Sequence, residues 1–244
     1  MRRNTKNQRD VFYRQAKAEG YRARSAYKLL EIIDQTNILQ GTQRVVDLCA
    51  APGSWSQVVS RSLVDNKGVV AVDLQEIAPI DGVHLIQGDI TKSATVRRIT
   101  EYFHGARADV VLCDGAPDVT GNHSLDELLH HDLMLAATNI AMALLRPGGS
   151  FVAKFFRGES LSLLETKLGF FFRDVQVIKP DASRSSSTEA FFVAQNFDPP
   201  AGFRPCFDMD ELRQQYSETV PFVPYYICGD LDGDFAPEKV WDEV

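Results

Sequence analysis

Short apolar runs rich in β-branched residues alternate with longer helical patterns along most of this chain, and that alternation limits what it can fold into. The runs with the length and composition of buried strands are residues 44–48, 68–72, 83–86, 109–113 and 150–155. The helical patterns between them cover residues 56–63, 94–103 and 125–145. Strands joined by helices lie mostly parallel, because each crossover lays a helix on the sheet. The pattern therefore predicts a doubly wound α/β fold.

The last part of this pattern changes character. A predicted helix over residues 161–171 is followed by strands at 174–178 and 190–195, which have no helix between them. Such strands should pair antiparallel. We therefore predict a mostly parallel seven-stranded sheet that ends in an antiparallel hairpin. Residues 147–149, Pro-Gly-Gly, should stop the long helix before the fifth strand.

The regions outside the sheet differ from it in composition. Two helices are predicted before the first strand, at residues 10–18 and 25–34, with Ser25 as the candidate N-cap of the second. After Asp198 the chain becomes rich in Pro and Asp. The domain prediction is N-terminal basic helices in residues 1–40, an α/β core in 41–197 and an acidic extension in 198–244.

Charge is unevenly distributed. The net charge of −7 argues against a general nucleic-acid coat, yet residues 1–28 carry nine Lys or Arg against two acids. Residues 198–244 carry three basic and eleven acidic residues. A basic arm on an acidic body fits a localised contact with a polyanion, and it fits a solvated basic helix equally well.

Cysteine usage and hydropathy bear on the compartment. Cys49, Cys113, Cys206 and Cys228 show no metal-binding or redox spacing, so we expect free thiols and no metal. No apolar stretch approaches the roughly 20 residues that span a bilayer. The basic N-terminus MRRNTKNQRD has no apolar run behind it, so we do not expect a secretory signal. A cytoplasmic protein is the expectation.

Acidic residues follow successive predicted strands, at the sheet edge where α/β proteins bind ligands. The first strand runs into DLCAAPGSWS, in which Gly53 can adopt the backbone dihedrals of a tight turn. Asp73 ends the second strand, Asp89 and Ile90 follow the third, and Asp114 follows the fourth. Each acid alone is more often a turn residue than a ligand, but together they face one crevice. The missing G-x-G-x-x-G and P-loop patterns disfavour a nucleotide-dependent oxidoreductase and triphosphate binding.

These motifs resemble the FtsJ-type RNA ribose 2′-O-methyltransferases, which use S-adenosylmethionine and have a Rossmann-like class I methyltransferase fold. The resemblance rests on DLCAAPGSWSQ, Asp73, GDI and DGAPD, and it continues in YRARSAYKL (21–29), GGSFVAKFF (148–156) and KPDASRSSSTEAFFVAQNF (179–197). It covers about residues 9 to 197. Cys49 and DGAPDVTG (114–121) look most like the eukaryotic subgroup that methylates the tRNA anticodon loop, at nucleotides 32 and/or 34.

The resemblance implies a set of site residues. The catalytic tetrad would be Lys28, Asp114, Lys154 and Glu189. The cofactor would meet Gly53, Ser54 and Trp55 at its methionine end, Asp73 at its ribose, Asp89 and Ile90 at its adenine, and Asp114. Contact with the RNA is expected for Arg22 and Arg24, which belong to the basic segment that carries Lys28, and for Arg157, Lys179 and Arg184, which follow strands at the same edge of the sheet.

Lys154 is the residue expected to act on the ribose hydroxyl. As a lysine closing an apolar strand it needs a partner, and Asp114 on the neighbouring strand end is the natural one. Lys154 is either a neutral proton acceptor or a fixed cation that stabilises the developing alkoxide. The carboxylate of Asp114 favours the charged form, whereas burial and neighbouring cations favour the neutral form. The resemblance favours the proton acceptor.

Three alternatives remain open at this point. They are a ribosomal RNA or mRNA-cap ribose methyltransferase, a noncatalytic RNA-binding subunit of the same fold, and an oxidoreductase. The intact tetrad disfavours the second. The tRNA subgroup also implies a noncatalytic protein partner, which is a WD-repeat protein for nucleotide 34 and a helical-repeat protein for nucleotide 32.

Overall fold

The computed structural model describes residues 3–63, 68–117, 121, 123–157, 165–166, 168–184, 187–200, 202–203 and 205. Its helices are α1 (Arg3–Ala18), α2 (Ala26–Thr36), α3 (Ser54–Ser62), α4 (Ser93–Tyr102) and α5 (His123–Leu144). Its strands are β1 (Arg44–Leu48), β2 (Gly68–Asp73), β3 (Val83–Gln87), β4 (Ala108–Cys113), β5 (Leu145–Phe156), β6 (Phe172–Ile178) and β7 (Glu189–Phe197). No helix in this part of the chain is long and apolar enough to cross a membrane.

The strands form one seven-stranded sheet in the order β3-β2-β1-β4-β5-β7-β6. Strands β1 to β5 pair in parallel, and β7 lies antiparallel between β5 and β6. The predicted fold and the predicted C-terminal hairpin are thus confirmed. The order reverses between β1 and β4, which opens a crevice at the carboxyl ends of these two strands.

Both faces of the sheet are covered, as its consecutive apolar residues require. In β4, Val111 and Cys113 pack in a cluster with α4 and α5. Val110 and Leu112, on the opposite face, pack in a second cluster with α2 and α3. This two-residue period places one core on each side of the sheet and holds the strand ends rigidly around the crevice.

Two boundary predictions need correction. The helix α5 ends at Leu144 and β5 begins at once, so residues 147–149 lie within a strand and do not separate the elements. The β4–β5 register shifts between Ala108 and Val110, and this irregularity accommodates Pro147 and the positive φ of Gly148. The first helix also begins at Arg3 and is longer than predicted.

Ser25 occupies the N-cap position of α2, but its side chain does not cap the helix. Its hydroxyl lies 2.7 Å from the hydroxyl of Ser54, at the start of α3. The Ser25 hydroxyl thus contacts α3 instead of making an N-cap hydrogen bond to α2. Of the predicted helix at 161–171, residues 165–166 and 168–169 are helical, while 161–164 and 167 lie outside the described residues. Most of the acidic extension, including Cys206 and Cys228, also lies outside them.

Candidate active site

Lys154 and Asp114 form an ion pair at the carboxyl ends of β5 and β4. The Lys154 ammonium lies 3.1 Å from Oδ1 of Asp114, and the two side chains are only 10% and 17% exposed. The same ammonium donates a hydrogen bond to the main-chain oxygen of Asp114. Oδ1 is therefore close enough for an ion pair yet makes no well-aligned hydrogen bond within the described residues. A buried acceptor without a donor is costly, so this oxygen is available to a ligand.

Lys28 and Glu189 form a second ion pair beside the first. The Lys28 ammonium is 2.8 Å from Oε1 of Glu189, with exposures of 11% and 12%. Lys154 pairs with Phe191 in the β5–β7 ladder, two positions from Glu189, so Lys154 and Glu189 lie on the same face of the sheet. Burial opposes ionisation of Glu189, but Lys28, with smaller contributions from Ser183 and Lys154, outweighs it and lowers the pKa of the Glu189 carboxyl. The tetrad residues thus form one electrostatic cluster.

The turn between β1 and α3 depends on Gly53. Its φ is +101°, and a Cβ there would lie 2.5 Å from Cδ1 of Ile80. The side chains of Ser54 and Trp55 are buried against Ser25, through the Ser25–Ser54 hydroxyl contact and a 2.9 Å bond from Trp55 Nε1 to the Ser25 main-chain oxygen. The predicted contacts of Gly53, Ser54 and Trp55 with the cofactor can therefore come only from the main chain at the positive end of α3.

Asp73 and Asp89 are held by nearby donors. Oδ2 of Asp73 accepts a bond from the Ala51 amide at 2.9 Å, and its Oδ1 accepts one from the Gln75 amide at 2.8 Å. Each carboxylate oxygen keeps a second lone pair for a ligand hydroxyl. Oδ1 of Asp89 accepts two bonds from Thr91, which lower the pKa of Asp89 despite its burial. Ile90 is buried behind it.

Asp47, the first residue of DLCAAPGSWSQ, also lies beside this site, although it was not among the predicted site residues. Its carboxyl is 1% exposed, accepts a bond from Ser56 Oγ at 2.5 Å and lies near Asp114 and Asp73. Burial raises the pKa of Asp47 to about 7, with Asp114 adding to the rise. The signal was present in the sequence, because an acid inside the apolar strand RVVDL must be buried.

Cys49 and Cys113 lie together under the crevice as free thiols. Cys49 follows β1 with a φ of +54°, and a Cβ on Gly115 would lie 2.9 Å from its sulfur. A hydrogen bond with Cys113 and burial raise the pKa of the Cys49 thiol far above its usual range. The Cys49 thiol therefore stays protonated at neutral pH. No group of three His, Cys, Asp or Glu in the described part of the chain is arranged to hold a metal ion.

The five cations predicted to bind RNA divide into two groups. Arg157, Lys179 and Arg184 are exposed at the end of β5 and in the β6–β7 loop, although Lys179 also bonds the Ser187 main-chain oxygen. Arg22 and Arg24 are half-buried. Arg22 donates to the main-chain oxygens of residues 52, 78 and 79, and Arg24 donates to that of residue 182. Arg22 and Arg24 bond main-chain oxygens in loops that are distant in the sequence, so no local sequence pattern separates them from the three exposed cations.

The seven-stranded sheet with its crevice and antiparallel last strands is that of a Rossmann-like class I methyltransferase, and comparisons specify the family. Residues 21–197 match the FtsJ-like methyltransferase family model. The chain belongs to the FtsJ-like methyltransferase family.

Individual relatives agree with that assignment. A human tRNA (cytidine(32)/guanosine(34)-2′-O)-methyltransferase is 51% identical over 95% of this chain and 73% of its own. A Schizosaccharomyces pombe protein of the same name is 49% identical over 96% of this chain and 85% of its own. A crystal structure of a protein described as a ribosomal RNA methyltransferase from Plasmodium falciparum superposes with a TM-score of 0.66 at 29% identity, over 72% of this chain and 98% of that one.

Proposed function

We infer that this protein transfers a methyl group to the ribose 2′-OH of tRNA anticodon-loop nucleotides, at position 32, position 34 or both. The family and the names of relatives about 50% identical to nearly the whole chain support this function. The observation that carries it is the convergence of two buried ion pairs, Lys28–Glu189 and Lys154–Asp114, at the carboxyl edge of the sheet. Four separate segments supply these side chains.

We propose S-adenosylmethionine as the methyl donor, and the crevice residues suit it. Acceptors for an amine and for hydroxyls come from Oδ1 of Asp114, which pairs with Lys154 but accepts no well-aligned hydrogen bond among the described residues, and from the free lone pairs of Asp73. The amide groups at the start of α3 offer donors for a carboxylate. Asp89 and Ile90 would hold the adenine. When bound, the cofactor supplies an electrophilic methyl group on its sulfonium.

In the proposed reaction Lys154 Nζ takes the proton from the 2′-OH as the oxygen attacks. Lys154 must be neutral at that moment, so the pair with Asp114 has to give way to a contact with the hydroxyl. Asp114 orients Lys154 through its main-chain oxygen, which would remain an acceptor for an uncharged amine. The Glu189 carboxylate balances the charge of Lys28 and holds its ammonium in place. A permanently charged Lys154 that stabilises the alkoxide is the second candidate role.

The RNA surface is proposed to combine α1 with the β6–β7 loop. Tyr13 is 61% exposed on α1, beside exposed Arg14 and Lys17, and an exposed aromatic among cations suits an unstacked loop base. Arg157 and Arg184 extend the basic surface near Glu189. Arg22 and Arg24 remain predicted contacts, although their guanidinium groups already bond main-chain oxygens.

A ribosomal RNA substrate is the second candidate, because the Plasmodium falciparum structure carries that description. The test is transfer of a labelled methyl group from S-adenosylmethionine into undermodified tRNA and, separately, into ribosomal RNA, with the product mapped by nuclease resistance. Label on the ribose of nucleotide 32 or 34 supports the proposal. Label only in ribosomal RNA would replace it.

A protein partner is also proposed, either a WD-repeat protein or a helical-repeat protein according to the nucleotide. The partner proposal rests on the resemblance alone, whereas the proposed cytoplasmic location rests on cysteine usage and hydropathy. Methyl transfer to nucleotide 34 that requires an added WD-repeat protein would support the first pairing. Full activity of the isolated chain at both nucleotides would contradict the need for either partner.

A further inference from the structure

The helix that carries Lys28 also holds the loop that leads to Glu189. Glu31 follows Lys28 by three residues, so both lie on one face of α2, and Arg24 lies in the turn just before the helix. Lys28 reaches Glu189, whereas Arg24 and Glu31 both reach the loop between β6 and β7. One face of one helix thus touches both the catalytic carboxylate and the loop before it.

Glu31 and Arg24 both form hydrogen bonds with the main chain of residues 181 and 182. The Glu31 carboxylate accepts bonds from the amides of Asp181 and Ala182, at 2.5 and 3.0 Å. Arg24 Nη2 donates to the main-chain oxygen of Ala182 at 2.6 Å. Both polar groups of residue 182 are therefore satisfied from α2 and the turn before it. A carboxylate with two amide donors makes bonds stronger than neutral ones.

Apolar packing adds to the hydrogen bonds that Glu31 and Arg24 make with residues 181 and 182. The methyl group of Ala182 is fully buried and packs with Ala16 and Tyr27. These residues come from α1 and α2. The loop is thus fixed by both polar and apolar contacts, and residue 182 cannot shift without breaking them.

The loop transmits this position to Glu189. Ser183 follows Ala182 and is buried close to the Glu189 carboxyl, where it lowers the pKa of Glu189. Its hydroxyl makes no well-aligned hydrogen bond among the described residues. Further along, the Ser187 amide bonds the Arg184 main-chain oxygen. The Glu189 amide then bonds Ser187 Oγ at 3.2 Å.

We propose that Glu31 is a positioning residue, which acts with Arg24 through the 181–183 loop to hold Glu189 in register with Lys28. The proposal rests on the catalytic role proposed above for Lys28 and Glu189. A carboxylate displaced by about 1 Å would lose its hydrogen bond to the Lys28 ammonium, which is now 2.8 Å away, and would change the field at Lys154. Misplacement of that size lowers rates by up to about 100-fold.

The test compares Glu31→Gln with Asp34→Asn, an exposed carboxylate on the same helix that serves as the matched control. Gln keeps the shape but replaces one acceptor oxygen with a donor, so it can satisfy only one of the two amides. Single-turnover methyl transfer at saturating tRNA and cofactor should fall about 10- to 100-fold. The dissociation constants for both ligands should change less than about twofold, and Asp34→Asn should match the wild type.

A double-mutant cycle with Glu189→Gln separates positioning from general destabilisation. If Glu31 acts through Glu189, Glu31→Gln should cause little further loss of rate in the Glu189→Gln background, while its effect on the melting temperature should remain. Equal fold losses in both backgrounds, or an unchanged saturating rate, would overturn the proposal. Full activity of Glu189→Gln alone would instead refute the proposed catalytic role.

A conservative variant keeps the test decisive if Glu31→Gln does not fold. Glu31→Asp retains the charge and both acceptor oxygens but is one methylene shorter. Its saturating rate should lie between those of the wild type and Glu31→Gln, with the same loss of effect in the Glu189→Gln background. A wild-type rate for Glu31→Asp together with a lowered melting temperature would show a purely structural role.

Discussion

At the scale of single residues, the site works through carboxylates that differ in environment. Asp89 and Glu189 lie near donors or cations that lower their pKa values, so both are ionised at neutral pH. Asp47, in contrast, is fully buried in β1, and burial raises its pKa to about 7. A neutral Asp47 would relieve repulsion with Asp73 and Asp114, which approach it from the ends of β2 and β4.

Asp47 should make stability depend on pH in a recognisable direction. Because its carboxyl binds a proton more tightly in the folded state, the free energy of unfolding should fall as pH rises from about 4 to about 7. Its contribution over that range is on the order of 4 kcal/mol. Asp47→Asn keeps an acceptor for Ser56 and removes the titration. Urea unfolding at pH 5 and pH 7.5 should show the variant gaining on the wild type at the higher pH.

The control for this experiment is the same pair of measurements on Asp34→Asn, which removes an exposed carboxylate. Groups with lowered pKa values, such as Asp109 and Glu189, are ionised in both the folded and the unfolded state above pH 5, so they add little slope to any variant in this range. A wild-type-minus-variant difference that stays constant between pH 5 and 7.5 would show that Asp47 is not protonated more readily in the folded state.

Asp73 is expected to bind the cofactor ribose. Asp73→Ala removes the acceptor for the ligand hydroxyls and should weaken S-adenosylmethionine binding by roughly 1–3 kcal/mol, measured by calorimetry. Asp73→Asn is the companion variant, because it retains one acceptor oxygen for the Ala51 or Gln75 amide. Cofactor affinity unchanged in both variants would remove Asp73 from the binding site.

At the scale of elements, one turn is held by a distant arginine. Arg22 joins the Pro52 main-chain oxygen, in the turn before α3, to those of Ala78 and Pro79 in the loop after β2. These two loops flank the proposed cofactor crevice. Arg22 also fills the space beside Gly53, where its Nη1 would lie 3.1 Å from an added Cβ. Its contacts therefore link the two loops that would hold the methionine and ribose ends of the cofactor.

Arg22 and Arg184 should consequently differ when each is changed to alanine. Arg22→Ala should weaken cofactor binding by roughly 1–3 kcal/mol, because it leaves three main-chain oxygens without a donor. Arg184→Ala should leave cofactor binding intact, weaken tRNA binding and reduce the salt slope by about one unit if one phosphate contact is lost. Calorimetry and tRNA binding at several salt concentrations measure both. A lower salt slope for Arg22→Ala, with normal cofactor affinity, would establish Arg22 as an RNA contact.

In the molecule as a whole, the features that follow from hydrophobic periodicity were predictable from the sequence, whereas side-chain contacts with distant loops were not. The sheet followed from apolar runs of strand length, and the Lys154–Asp114 pair followed from the need of a buried lysine for a partner. The Lys28–Glu189 pair was implied only by the family resemblance. The main-chain partners of Arg22 and Arg24 lie 30 to 158 residues away, so no local pattern reveals them.

The two ion pairs form the proposed catalytic centre, in which Lys154 acts on the ribose hydroxyl. The most direct test is single-turnover methyl transfer to undermodified tRNA by Lys154→Ala and Lys154→Arg, with cofactor and tRNA binding measured alongside. Binding should persist in both, since Lys154 acts in the transition state. Loss of the proton acceptor should lower the rate of Lys154→Ala by at least about 10²–10⁴-fold. Arginine keeps the charge but cannot act as a base, so Lys154→Arg should be equally inactive. Partial recovery by arginine would establish the fixed-cation role, and near-normal transfer by Lys154→Ala would contradict the account.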